Sequence, residues 1–559
     1  MRPVPRSRHV PAVAIFIAVA AIHAFLAGED DRLSDRQVAI ASAALKVSGA
    51  ADFPADPVFS QASPPPSPSP AFSRAMAAGL AVFPGAEPVT IYRILTGPLV
   101  LVYLVGMYAL IYRQCLSWSI AAFVAVLSTA VVEAMGGSFW GVGTLGSIGP
   151  AGLCLALTPL VVLAFLDASQ QRGRRWRLVA IFLLVGLLGN FDLSWAMNLA
   201  IVLAACHIVV RRFAFSAWVL AAAGLVAAAA GALPAAGSIV AARTAGALSP
   251  ETVEACCHVL RHGDQALLYP QAFKSLPGWL PWAGPLVVFT IVVLSQLGRF
   301  RAANLMFWIV FAAAAAMVAS VFQAASQLIG VLTGGLPPVA GFVRASSLLM
   351  LPLYVLTGQG LTSVFRLARG HYRLLRTVCA LAAAAWLIPS DNLRLARHWG
   401  YQVAGALMEE ESRPRRLQRL QEDADRRREL VAIADWARSS TAGNAVFLAD
   451  ISEFRLLSRR SLVAGAEDGA YLCCSRRDMV LPWRCRLAEQ DRLLHPTGGQ
   501  ADPAAISRFV AELAGRQPFA AAGGWYMLIH ASAAPPAGAT LVQEAAEGWG
   551  RFYKVYRVR

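Results

Sequence analysis

The chain has 559 residues, of which 57% are hydrophobic and only 15% charged, with a net charge of +16. A mean hydropathy of +0.54 excludes a soluble protein of several ordinary domains. The positive charge does not imply nucleic acid, because no zinc-finger, RNP or basic-zipper pattern occurs and arginine clusters between apolar blocks follow from the positive-inside rule.

The chain opens with "MRPVPRSRHVPAVAIFIAVAAIHAFLAG", in which three arginines precede an apolar run. The cleavage-site pattern after it is weak, so residues 1–28 are expected to be a cytoplasmic N-terminus and an uncleaved first membrane helix. Residues 29–90 then form an acidic first outer loop. The stretch from Leu26, at the helix end, to Ser60 carries six carboxylates and three basic residues. Within it, "DRQVAIASAALK" reads as an amphipathic helix opened by Asp35, and "FPADPVF" as a Pro-flanked turn around Asp56. "SQASPPPSPSP" is an extended Pro/Ser spacer, and "AFSRAMAAGLAVFPGAEPV" is an apolar segment suited to the membrane surface.

Residues 91–391 form the polytopic region. Apolar runs near 91–112, 117–135, 150–167, 177–191, 194–210, 214–235, 281–298, 303–332, 346–365 and 374–390 bring the expected total to about eleven membrane helices. "RQCLS", "QQRGRRWR", "VVRRF", "GRFRAAN" and "FRLARGHYRLLR" are the basic connections and sort to the cytoplasm. "GGSFWGVGTLGSIGP" and "GNFDLSW" have no basic residue and face out, with a second outer loop at 236–280.

Residues 392–428 read as a basic helical linker and 429–559 as a soluble α/β domain. Counting spans places that domain on the periplasmic side of a bacterial inner membrane, although "RPRRLQRLQEDADRRREL" runs against the charge rule. Long domains translocate regardless of charge. "NAVFLAD", "RSLVAG", "GAYLCC", "WYMLIHAS", "ATLVQEA" and "RFYKVYRV" are its expected strands, and "DPAAISRFVAELAGR" its capped amphipathic helix.

Several classes of chemistry have no signature here. The chain holds no Gly-rich phosphate loop, G-x-S-x-G elbow or H-E-x-x-H zinc motif, and no internal repeat of the kind that builds two-halved transporters. Of its nine cysteines, Cys115, Cys154, Cys206 and Cys379 lie in or beside apolar blocks. Cys256, Cys257, Cys473, Cys474 and Cys485 fall outside the membrane, where disulfide pairing is open and its connectivity unreadable. The adjacent cysteine pairs lack C-x-x-C metal spacing.

The candidate catalytic groups are the first-loop acids Glu29, Asp30, Asp31, Asp35, Asp52 and Asp56. A run of acids at a helix end reads most simply as a solvated collar. Held near the phosphate plane, one of them can instead take a proton from an acceptor hydroxyl or hold a divalent cation against a pyrophosphate. Asp35 is preferred because a helix fixes its position, and Asp56 is second. Deeper acids, Glu133 and Asp192, are costly at such depths and read as substrate-binding candidates, against a loop-capping role. Arg344 is the only basic residue of its outer connection and suits bidentate phosphate binding, against simple snorkelling to headgroups. His258, Arg261 and His262 add polar groups to the second outer loop.

The span pattern, the first-loop stretch "ALKVSGAADFPADPVFS" and the tail stretch "NAVFLADISEFRLLSRRSLVAGAEDGAYL", closing with "WYMLIHAS" and "FYKVYRV", resemble a group of uncharacterised bacterial membrane proteins. The whole architecture is similar to the GT-C glycosyltransferase superfamily. That resemblance implies a polytopic α-helical, GT-C-like fold that takes a sugar from a polyprenyl-phosphate carrier in the membrane lipid, with a catalytic acid in the first outer loop. Glu29 and Asp31 give the superfamily's E-x-D pattern literally, within a run of acids that generates it cheaply. A transporter or flippase of lipid-linked glycans and a non-catalytic envelope scaffold are the alternatives.

Overall fold

A computed structural model describes residues 9–30, 33–60, 69–170, 175–244, 248–262, 302–339, 341–367, 372–408, 414–495, 503–533, 539–542 and 550–558. Among these, six helices are long and apolar enough to cross a membrane: Val10–Gly28, Pro88–Cys115, Pro150–Gln170, Leu193–Val210, Leu305–Leu332 and Phe342–Arg366. The protein is a multi-span helical membrane protein with a folded, β-containing C-terminal region.

The expectation of a GT-C-like fold with about eleven spans is corrected by this count. The run at 117–135 is helical only over the ten residues Trp118–Leu127. It then turns into a hairpin of β1 (Val132–Ala134) and β2 (Ser138–Trp140), antiparallel with Glu133 opposite Phe139. Gly136 and Gly137 make that reversal with φ of 74° and 65°, a region costly for other residues. The run at 177–191 becomes the 14-residue helix Arg175–Leu188. At about 1.5 Å per residue such a helix falls short of a bilayer core of roughly 30 Å. The runs at 214–235 and 374–390 yield helices of 17 and 16 residues, Phe215–Gly231 and Tyr372–Leu387. The run at 281–298 lies outside the described residues. Hydropathy alone had counted every apolar block as a span.

The chain divides into two compact units. The first comprises Met1–Arg32, Tyr92–Gly237 and Leu260–His398, and the second Leu33–Ile91, Ser238–Val259 and Trp399–Arg559. The first outer loop therefore folds with the tail.

In the second unit, the Asp35–Val47 helix starts at a capping box, in which Gln37 N–H donates to Ser34 Oγ (3.4 Å) and Ser34 N–H to Gln37 Oε1 (2.9 Å). Every residue from Gln37 to Leu45 is buried. The small residues Ala39, Ala41, Ser42, Ala43 and Ala44 let neighbours close on all sides of it. One neighbour is the Pro70–Val82 helix, whose Phe72, Met76 and Leu80 are buried.

The tail builds a mixed sheet from β3 (Val446–Leu448), β4 (Ser461–Leu462), β5 (Trp525–His530), β6 (Thr540–Leu541) and β7 (Tyr553–Arg557), in the order β4-β3-β5-β7-β6. β3 runs parallel to β4 and β5, while β7 is antiparallel to β5 and β6. β3 is buried on both faces, as a central parallel strand must be. Val446 and Leu448 join Ile506, Val510 and Trp525 in one core cluster, and Phe447 joins Leu430, Ile433 and Phe454 in the other. "GAYLCC", expected as a strand, is part of the helix Asp468–Ser475. A short apolar run does not distinguish the two, and Asp468 in the first turn suits a helix.

First loop and tail meet at one buried ion cluster. Ala55 belongs to the same core as Val446 and Leu448. Beside it, Asp56 and Arg455 are both 0% exposed. Asp56 Oδ1 accepts the Val58 and Phe59 N–H groups (2.9 and 3.2 Å), and Oδ2 accepts Arg455 Nε–H (2.9 Å) and Leu462 N–H (3.2 Å). The rest of the Arg455 fork donates to Glu467 Oε1 (2.7 Å) and to both Asp468 oxygens (2.7 and 2.8 Å). The Phe59 ring lies 5.3 Å from the guanidinium carbon.

Asp56→Ala should destabilise the second unit by about 3–5 kcal/mol, because it leaves buried N–H groups without an acceptor and breaks a buried pair. Limited proteolysis and thermal unfolding of the purified protein read this, and an unchanged midpoint would remove the cluster as the tie between loop and tail. The same cluster makes stability depend on pH. Burial pushes the Glu467 carboxyl up to about 8, against the pull of Arg455 and with the push of Asp468. Between pH of about 4.5 and 8, the folded chain keeps a proton that the unfolded chain releases, so this contribution is lost as pH rises. The unfolding midpoint should fall across that window, and Glu467→Gln should flatten the fall.

Candidate functional site

The first unit gathers its polar groups where the Val10–Gly28 helix ends. His23, near that end, donates from Nδ1 to Gly143 O (2.9 Å), with Nε2 3.3 Å from Thr129 Oγ1. Gly143 has φ of 144°, and a Cβ there would fall 2.4 Å from the His23 ring nitrogen, so only glycine allows this approach. Asn392 holds the strand leading to β1, accepting Val131 N–H at Oδ1 (2.6 Å), while Asp391 N–H donates to Val131 O (2.9 Å).

Against this frame lies a narrow crevice. Asp192 caps the Leu193–Val210 helix by accepting Trp195 N–H at Oδ1 (3.0 Å), and Trp195 Nε1–H donates to Thr158 Oγ1 (3.1 Å). Arg344 sits on the 3₁₀ segment Phe342–Leu349. That segment is anchored by Val343 N–H on Gln323 Oε1 and by Asn198 Nδ2–H on Gly341 O, both 3.0 Å. Arg344 Nε–H donates to Gly136 O in the hairpin turn (3.1 Å), and its Nη1 lies 3.6 Å from Asp192 Oδ2. The two side chains are 9% and 2% exposed.

They line a cavity of about 20 Å³ with Ser138, Gly152, Asn198 and Ser347, room for about one water. Asn198 Oδ1 is buried there without a hydrogen-bond partner. A fixed guanidinium, a nearby carboxylate and an unused acceptor in a mostly apolar wall suit a ligand that is anionic at one atom and hydroxylated at another.

The structure brings Asp192 and Arg344 together and distributes the other expected residues elsewhere. Glu133 is exposed on β1, outside the crevice lining. Glu29 is exposed at the C-cap of the Val10–Gly28 helix, and Asp31 lies outside the described residues. The Asp30 carbonyl accepts Arg93 Nη2–H (3.1 Å). Asp35 is half-buried in the first turn of its helix, and Asp52 pairs with Lys46. Both carboxylate oxygens of Asp56 accept hydrogen bonds within the Arg455 cluster. His258 and His262 are exposed on the helix Pro250–His262. Among the described residues, no group of three His, Cys, Asp or Glu side chains is arranged to hold a metal ion.

Sequence reasoning missed Asn198, Ser138, Ser347, His23, Asn392 and Asp391. Burial pushes the Asp391 carboxyl up, Arg394 pulls it down and Asp30 adds to the push. One signal was available for the crevice: Asp192, Trp195 and Asn198 are spaced i, i+3, i+6 and share a helix face.

No protein family and no curated protein sequence matches the chain.

The ion pair makes a directional prediction. Arg344→Met alone should cost about 3–5 kcal/mol, because it strands the Asp192 carboxylate in a dry site. Adding Asp192→Asn should recover much of that loss. Thermal midpoints in detergent for the two single variants and the double variant measure the coupling, and strictly additive losses would show that the two charges do not interact.

Proposed function

We propose that this protein is a membrane glycosyltransferase that moves a sugar from a polyprenyl-phosphate donor to an acceptor outside the cytoplasm, and that the Asp192–Arg344 crevice is its transfer site. The observation that carries the reading is the loose 3.6 Å pairing of a buried guanidinium with a buried carboxylate at the end of the spans. That separation is longer than a hydrogen bond, so this contact is an ion pair that another anion can exchange for.

In this reading Arg344 takes the donor phosphate bidentately and thereby releases Asp192 Oδ2. The acceptor hydroxyl attacks the anomeric carbon as the bond to the phosphate oxygen breaks. Its proton passes to Asp192, polyprenyl phosphate departs on Arg344, and the anomeric configuration inverts. Asn198 Oδ1 accepts a sugar hydroxyl. A sugar is far larger than the closed cavity, so the 3₁₀ segment carrying Arg344 must shift to admit it; such segments serve as hinges.

The arrangement also bears on topology. A unit built from the first loop and the tail requires both on one side of the membrane, whereas five candidate spans, an odd number, lie between them; this reading therefore takes a further crossing from the shorter apolar helices Trp118–Leu127, Phe215–Gly231 and Arg376–Leu387 or from outside the described residues. The three arginines ahead of the first helix favour the cytoplasm for the N-terminus, so in this reading the first loop, and the second unit with it, lie outside.

The test is release of polyprenyl phosphate from labelled polyprenyl-phosphate hexoses by the protein in lipid nanodiscs. Asp192→Asn and Arg344→Lys should each lower the rate by about 10²-fold or more at equal folding, since Lys lacks the planar fork and Asn the basicity. Wild-type rates in both variants would move the transfer site elsewhere. Translocation of the intact donor without cleavage would replace the transferase with a flippase.

A further inference from the structure

Cys256 and Cys473 stand 217 positions apart in the sequence. Both are buried, at 0% and 3% exposure, and both belong to the second unit. Cys256 lies on the Pro250–His262 helix and Cys473 on the Asp468–Ser475 helix. The Cys473 thiol lies 4.0 Å from the Cys256 carbonyl oxygen, toward which it donates. A thiol that reaches the other cysteine's own backbone brings the two side chains near the separation that a disulfide spans.

The surroundings favour chemistry at this pair over simple packing. Arg477 Nε–H donates to Cys473 O (3.1 Å), which holds a guanidinium beside both sulfurs. The Cys256 thiol is held below its ordinary range by the Cys473 hydrogen bond, against burial and with help from Arg477. Cys473 is pushed up by donating that hydrogen bond and by burial. Cys256 is therefore the nucleophile and Cys473 the second partner. Cys257 and Cys474 are half-buried neighbours and Cys485 is exposed.

We propose that Cys256 and Cys473 are joined as a disulfide by an extracytoplasmic dithiol–disulfide oxidase, tying the 238–259 segment to the tail. The Cys256 thiolate attacks the oxidase disulfide, forming a mixed disulfide and expelling one oxidase thiolate. The Cys473 thiolate then attacks the Cys256 sulfur and releases the second. Two electrons pass to the oxidase, which leaves as a dithiol with the two protons. Closing so long a loop restricts the unfolded chain strongly. The inference rests on the second unit lying outside the cytoplasm.

The experiment treats intact cells with a membrane-impermeant maleimide, quenches in acid, alkylates the remaining thiols and maps peptides without reduction. The expected result is a Cys256–Cys473 linked peptide, with Cys485 labelled from outside. Cys485 labelled from outside with Cys256 and Cys473 recovered as thiols overturns the proposal, as does a bond through Cys257 or Cys474. Cys485 protected until the cells are opened overturns the outside placement and the oxidation with it. In that case diamide treatment of the purified full-length protein separates the two failures, because a linked peptide then retains the pairing alone. A second variant guards against misfolding: reductant should lower the wild-type unfolding midpoint and leave that of Cys473→Ser unmoved.

Discussion

The contact between Asp56 and Arg455 decides what kind of object the soluble part of this protein is. A carboxylate from the first loop and a guanidinium from the tail, 399 positions apart, are both removed from water. Neither tolerates burial alone, since an unpaired buried charge costs several kcal/mol. Each segment therefore requires the other, and a loop that composition describes as acidic and solvated becomes an interior part of an α/β fold. Three carboxylates surround one guanidinium, and burial resolves the excess negative charge by keeping a proton on Glu467. The cluster is held by complementarity and by protonation together.

Much of this architecture was legible from local pattern. The helix opened by Asp35, the strands at "NAVFLAD", "WYMLIHAS" and "RFYKVYRV", and the amphipathic helix near 503–514 follow from period and capping, which are properties of neighbouring residues. Long-range partners were not legible. Nothing near Asp56 announces that its acceptors will be filled by residues around position 460, so its Pro-flanked turn suggested only a rigidly held carboxylate. The span count failed for a related reason: hydropathy measures transfer from water and does not register where glycines reverse the chain, as at Gly136 and Gly137.

The crevice was half legible. Asp192 and Arg344 stood out because charge is expensive at the end of an apolar helix, and that cost brought both to attention without saying that they face each other. Their meeting depends on the 3₁₀ segment, on the hairpin and on Asn198. Each of these reads in the sequence as small, apolar or unremarkable. His23 was hidden in the same way, within an apolar run where a single histidine carries no periodic signal.

Arg455 and Arg344, both buried, show how one residue type serves opposite ends. Arg455 donates four hydrogen bonds of 2.7–2.9 Å to three carboxylates, and both its charge and its geometry are consumed by the fold. A ligand arriving there would have to displace interactions that hold the unit together. Arg344 is positioned instead through Nε–H, by a backbone carbonyl that fixes its direction, and its Nη1 lies 3.6 Å from Asp192 Oδ2. The carboxylate lowers the cost of burying the cation yet is far enough to be exchanged for another anion. That difference in the partners of two buried guanidinium groups is why Arg344, and not Arg455, is the one proposed to take a phosphate.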